Sequence, residues 1–157
     1  MKPAILGAAL VALAPAVHAA GDHAHSHDEA MAIGRPGDPA QVDRTIEIQM
    51  LEPEGGGMAF APSELVVHEG ETIRFVVAND GALAHEVVFD TVEGNREHGE
   101  LMERFPEMEH DDPNAVRLDP GETGEIVWTF ANAGTFQFAC LIPGHMDAGM
   151  YGPVIVK

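Results

Sequence analysis

From Thr45 onward the chain alternates apolar and polar residues with a period of two. Ile46, Ile48 and Met50 alternate with Thr45, Glu47 and Gln49, and Ile73, Phe75 and Val77 alternate with Thr72, Arg74 and Val76. Ile126, Trp128 and Phe130 alternate with Glu125, Val127 and Thr129. Successive side chains on a strand point to opposite faces, so each run predicts a strand with one face buried. Shorter strand-like pieces cover 58–62, 65–68, 85–89, 116–118 and 154–156, and Phe136, Phe138 and Cys140 share one face of another. Clusters of turn-forming residues at 54–57, 69–71, 79–81, 119–122 and 131–134 punctuate them. About seven or eight short strands joined by such turns, with no long helical pattern, predict an all-β Greek-key β-sandwich over residues 44–157.

Residues 93–114 interrupt the strands. A short helical excursion is predicted over 95–105, where Leu101 and Phe105 are four apart and Glu100 faces Arg104. Gly99 weakens that helix. Asp111-Asp112-Pro113-Asn114 then turns the chain back toward the sheets.

Composition changes the picture at the N-terminus. The length of 157 residues, with 45% hydrophobic, suits one compact domain plus extensions. Residues 1–19 stand apart from the fold. Lys2 gives a positive start, 5–17 are apolar, and Val17-His18-Ala19 resembles a small-residue cleavage site. The pattern predicts a signal peptide removed on export. It is short for a membrane span, so no stable membrane insertion is expected after cleavage, and an uncleaved anchor is the weaker alternative. Eight Lys and Arg against 26 Asp and Glu give a net charge of −18. Such a surface disfavours nucleic acid and anionic lipid, and favours solubility, cations and basic partners.

Export sharpens the meaning of Cys140, the sole cysteine. It has no intramolecular disulfide partner, so in an oxidising compartment it must be buried, pair with another chain or bind something. His145 and Met150 follow at equal intervals of five, with Pro143 and Gly144 between Cys140 and His145 to bend the loop. Thiolate, imidazole and thioether can thus fold back onto one point. A soft thiolate with imidazole suits copper, and a His₂Cys set with a weak axial Met is the blue-copper arrangement. The missing imidazole is assigned to His85, which shares a strand face with Val87 and Phe89. The expected metal ligands are therefore His85, Cys140 and His145, with Met150 axial. Met146 is the rival axial ligand, though beside His145 its side chain more plausibly points elsewhere. The bland alternative is a surface turn beside a buried free cysteine.

Two further stretches carry metal-binding side chains. Residues 20–43 read as a His-rich flexible arm and linker, with His23, His25 and His27 beside Asp28 and Glu29, followed by Gly34-Arg35-Pro36-Gly37-Asp38-Pro39. Alternating imidazoles on a flexible chain can chelate Cu(II), Ni(II) or Zn(II). The excursion carries His98, Met102, Met108 and His110, with His98 and Met102 on one face of the expected helix, a set suited to Cu(I). The plainer reading is a polar linker and a Met102 that packs beneath its helix. Met50, Met58 and His68 read as core or surface.

Two separated stretches match one family. Phe75-Val76-Val77-Ala78-Asn79-Asp80-Gly81 leading to His85-Glu86-Val87-Val88-Phe89-Asp90 resembles the first-histidine region of plastocyanin/azurin-like cupredoxins. Thr135-Phe136-Gln137-Phe138-Ala139-Cys140 with Pro143-Gly144-His145 and Met150 resembles their ligand loop. The resemblance covers 44–157. The His-rich arm, the linker, the excursion through Val116 and the stretch from Cys140 to Met150 look like the periplasmic cupredoxins of bacterial copper tolerance. That resemblance implies a periplasmic protein that binds copper at one type-1 site and has a protective role. Glu86 departs from the pattern, standing where plastocyanin-like carriers often have an Asn that ties the two ligand-bearing segments together; a carboxylate cannot donate those hydrogen bonds.

The first expected function is copper tolerance through copper binding, with exchange to a periplasmic copper carrier or redox protein. The alternative is a soluble one-electron carrier using the same copper. An enzyme ranks last, because one small domain with a protein-saturated site leaves no evident open position for substrate. Zinc suits an axial Met poorly.

Overall fold

The computed structural model describes residues 31–105 and 112–157. Two five-stranded sheets face one another. One has the order β1 (Gly34–Pro36), β8 (Thr123–Phe130), β5 (Thr72–Asn79), β2 (Arg44–Leu51) and β3 (Ala59–Ala61). The other has the order β4 (Leu65–Val67), β10 (Tyr151–Val156), β9 (Gly134–Ala139), β6 (His85–Asp90) and β7 (Ala115–Leu118). The chain changes sheet after β3, β4, β5, β7 and β8. Strands adjacent in space are therefore often distant in sequence, as the sandwich reading requires.

The period-two runs put the expected residues inside. Ile48, Met50, Ile73, Phe75, Val77, Ile126, Trp128 and Phe130 of the first sheet are buried. So are Val87, Phe89, Phe136, Phe138, Cys140, Val154 and Val156 of the second. Phe75 lies 4.6 Å from Phe89 across the sandwich and 6.1 Å from Phe130 on its own sheet, measured between ring centroids. Each such side chain stabilises the fold by roughly 1.5–3 kcal/mol relative to exposure.

The structure differs from the sequence reading in two places. Of the stretch read as a flexible arm and linker, residues 31–43 are described, and within them Gly34–Pro36 form an edge strand of the first sheet. Gly34, Arg35 and Pro36 pair antiparallel with Phe130, Thr129 and Trp128, and Ile33 is fully buried. Pro is tolerated there because β1 is an edge strand. Gly34 is required for the approach: a Cβ at that position would meet the Thr129 carbonyl oxygen at 2.0 Å. The expected signal peptide at 1–19 and His23, His25 and His27 lie outside the described residues.

The second difference is the helix, which spans Val92–Arg104 (α1), three residues earlier than expected at its start. Thr91 caps it, its Oγ accepting the Gly94 N–H at 2.9 Å. Its packed face carries Asn95 and Met102, whereas Leu101 and Phe105 are exposed. The Asn95 amide donates to the Gln137 side chain on β9 at 3.2 Å, and Met102 packs with Val88, Ala139 and Leu141. That polar tie fixes the rotation of the helix, which an apolar pattern alone does not reveal. Glu100 does lie 3.9 Å from Arg104, and it also pairs with Arg96. These ion pairs are exposed and contribute little. Among the described residues, no helix is long and apolar enough to cross a membrane.

Candidate metal centre

Two strand ends and one loop build the site. β6 and β9 are antiparallel neighbours, with Val88 opposite Ala139. His85 opens β6 and Cys140 follows the last residue of β9, so both fall at the same end of the sandwich. The loop 141–150 then curls over them. The His145 N–H donates to the Ile142 carbonyl at 3.0 Å, the Met150 N–H to the His145 carbonyl at 3.1 Å, and the Cys140 N–H to the Met150 carbonyl at 3.0 Å. Gly144 has φ 84°, in the left-handed region that glycine adopts without strain.

These constraints bring three side chains together. One ligand atom from each of His85, Cys140 and His145 lies within 4.8 Å of the others, and all three residues are buried. The Nδ1 atoms of His85 and His145 are 3.2 Å apart, and Cys140 Sγ is 3.2 Å from His145 Nδ1. Met150 is fully buried in the same core cluster as Cys140. Met146, by contrast, packs with Met102 and Leu141 on the α1 side.

The other expected contacts are placed less centrally. His98 is half-buried on α1, and Met102, at 1% exposure, is packed under it. Met108 and His110 lie outside the described residues. Met50 is in the core, Met58 packs against it and His68 is exposed.

Three polar residues around the trio carried no ligand signal in the sequence. Asn79 is buried at the end of β5, and its amide donates to the Leu83 and Leu118 carbonyls at 2.8 and 3.0 Å, shaping the loop that delivers His85. Glu86 Oε1 accepts the Leu141 N–H at 3.1 Å, while the Glu86 N–H donates to Cys140 Sγ at 3.4 Å. Glu86 thus ties the two ligand-bearing segments together as an acceptor, where the expected Asn would also donate. Glu52, just past β2, reaches His85 Nε2 at 2.7 Å.

Backbone donation from Ala82, followed by the His85 hydrogen bond, holds the Glu52 carboxyl below its usual range. An ionised carboxylate only accepts, so His85 Nε2 carries a proton, and Nδ1 is the His85 nitrogen that faces His145, 3.2 Å away. Burial, then the neighbouring His85 imidazole, pushes the His145 pKa down, which disfavours the charged form of that ring. Burial pushes the Cys140 thiol up to about 12, against the N–H bonds it receives. Metal binding must therefore displace a proton from sulfur.

The raised thiol has a consequence for stability. The folded chain holds this proton more tightly than the unfolded chain, whose thiol titrates near its ordinary 9.0. The resulting stability is present below pH 9 and is lost as pH rises from there toward 12. We expect the metal-free protein to lose on the order of 4 kcal/mol over that interval relative to Cys140→Ser. Parallel urea titrations of the two proteins across the interval check this; identical pH profiles contradict it.

The donor set fits copper. One thiolate and two imidazoles converge on a point inside a protein core, and soft sulfur with imidazole is the combination copper prefers. Similarity to known proteins agrees. The family profile described as copper binding proteins, plastocyanin/azurin family, matches residues 47–157. The chain is 45% identical to the "Copper-resistant cuproprotein CopI" of Rubrivivax gelatinosus, over 100% of this chain and 97% of that protein. It is 37% identical to the plastocyanin of Sambucus nigra, over 69% of this chain and 97% of that one. Among solved structures, dithionite-reduced auracyanin from Roseiflexus castenholzii superposes with a TM-score of 0.61 at 26% identity, covering 74% of this chain and 98% of that one. The fold, the preformed trio and these similarities converge: the chain belongs to the plastocyanin/azurin family of copper-binding proteins.

Proposed function

We propose that this protein serves copper tolerance in the periplasm by binding copper, which His85, Cys140, His145 and Met150 would hold. The preformed cluster, whose three ligand atoms lie within 4.8 Å of one another, carries the reading. Copper held there would supply a one-electron Cu(I)/Cu(II) couple. The chain's own part is to present two imidazoles and one thiol from two strand ends and one loop held against the core. The full-length similarity to a protein named for copper resistance supports the protective role. A buried site whose ligands all come from the protein supports a binder over an enzyme. His23, His25 and His27, with His98, Met102, Met108 and His110, are proposed as additional, weaker copper contacts.

The test is a deletion strain grown with and without added copper. Loss of the gene should impair growth only when copper is added, and the wild-type gene should restore it while Cys140→Ser should not. One observation favours a second reading, a soluble one-electron carrier. The three ligand-bearing residues are buried and held by two strand ends and one hydrogen-bonded loop, which limits rearrangement between two oxidation states, and plastocyanin is among the similar proteins. A respiratory defect with no copper sensitivity supports that reading against the first.

A further inference from the structure

We infer that Glu52 is a positioning residue for the metal centre: its carboxylate sets which nitrogen of His85 faces the metal and adds a negative charge one imidazole away from it. The inference rests on the copper reading above and concerns a residue outside the ligand set. Its basis is geometric. Glu52 lies just beyond β2, in the opposite sheet from His85, and its side chain is one-quarter exposed. Oε1 meets His85 Nε2 at 2.7 Å and the Leu83 N–H at 3.2 Å, and Oε2 accepts the Ala82 N–H at 2.7 Å. One carboxylate therefore takes three hydrogen bonds from a single four-residue stretch that ends in the ligand.

The surrounding chain is shaped to admit it. A Cβ on Gly81 would lie 2.8 Å from both Glu52 oxygens, so glycine there leaves room for the carboxylate. The end of β2 holds the same loop at two more points: the Asp80 N–H donates to the Met50 carbonyl at 2.9 Å, and the Gln49 amide donates to Asp80 Oδ2 at 2.9 Å. Glu52 is the member of this set that reaches the ligand. A partner on the outer nitrogen of a metal-binding imidazole fixes its tautomer and ring orientation and raises its basicity. An anion that close also favours the more highly charged oxidation state, which lowers the reduction potential.

Three variants and two kinds of readout test this. Glu52→Gln keeps an acceptor but removes the charge; Glu52→Ala removes both; Gly81→Ala displaces the carboxylate while leaving Glu52 in the sequence. In the metal-free protein, nitrogen-15 NMR of the histidine rings should show His85 protonated at Nε2 in the wild type. It should show a mixture of tautomers or rapid exchange of that proton in Glu52→Ala and Gly81→Ala. In the copper-loaded protein, Glu52→Gln should raise the reduction potential, and Glu52→Ala should weaken copper binding by about 10- to 100-fold. An unchanged His85 tautomer in both Glu52→Ala and Gly81→Ala overturns the positioning role. A potential in Glu52→Gln equal to the wild type overturns the electrostatic role. If Glu52→Ala does not fold, the other two variants carry the same decisions. The NMR measurement needs no copper, so failure of the wild type to bind copper would sink the proposed function without deciding the role of Glu52.

Discussion

Replacing Cys140 with serine is expected to abolish the intense thiolate-to-copper absorption and to weaken copper binding by more than the roughly 10- to 100-fold attributed to outer hydrogen-bond partners. The argument is local. Sulfur is the one soft donor among the three clustered side chains, and it lies 3.2 Å from the His145 nitrogen. Serine is nearly the same size, so the core around position 140 has no cavity to collapse, and the effect isolates ligand chemistry from folding. Its hydroxyl does not ionise at ordinary pH and offers a hard oxygen where copper prefers soft sulfur. Copper titration followed by visible spectroscopy and by competition with a chelator checks both parts. An intense band that survives the substitution would mean that the thiolate is not the ligand.

The second large effect is on folding. Phe75→Ala is expected to destabilise the metal-free protein by about 3–5 kcal/mol, the range for removing a fully buried aromatic ring. Phe75 has no exposed surface and sits between Phe89 on the facing sheet and Phe130 on its own. The cavity would open at the contact that holds β5 to β6, and β6 begins with His85. Copper binding should therefore restore part of the lost stability, because a ligand that binds only the native state shifts the folding equilibrium. Urea denaturation with and without copper measures both quantities. A loss below 1 kcal/mol would show that the sheets pack through other contacts.

Much of this molecule was legible in its sequence because the signals are local. Alternation at Ile73, Phe75 and Val77 reports the pleat directly. Cys140, His145 and Met150 are close in sequence because one loop carries them. His85 was legible through its position at the start of an apolar run, and the structure brings it to Cys140 and His145. What escaped were relations set by tertiary pairing. Glu52 is an acidic residue before a proline, and nothing nearby marks it. Its role exists because β2 lies parallel beside β5, bringing Met50 opposite Asn79 and so setting Glu52 against the loop that follows. The segment 31–43 misled through composition, since Gly and Pro usually mean linker. Ile33 was the available signal, an apolar residue that now lies buried, its carbonyl accepting the Ala131 N–H. The helix start was legible in principle: Thr91 is a good cap, but its effect competes with the strand pattern that runs up to Asp90.

Glu86 shows why the residue type alone did not decide its role. The sequence raised the loss of a donor at that position. The geometry turns the tie around, because Leu141 has a free backbone N–H to give and Glu86 has an oxygen to receive it. The connection between the two ligand segments is kept with the opposite polarity. A carboxylate there and another at Glu52 place two acidic side chains around one small centre, a feature of the site that follows from pairing rather than spacing.

The most direct measurement is a crystal structure of the copper-loaded protein with anomalous scattering recorded at the copper edge. The account predicts one dominant copper peak bonded to His85 Nδ1, Cys140 Sγ and His145 Nδ1. A dominant peak anywhere else, with those three side chains left uncoordinated, would contradict it.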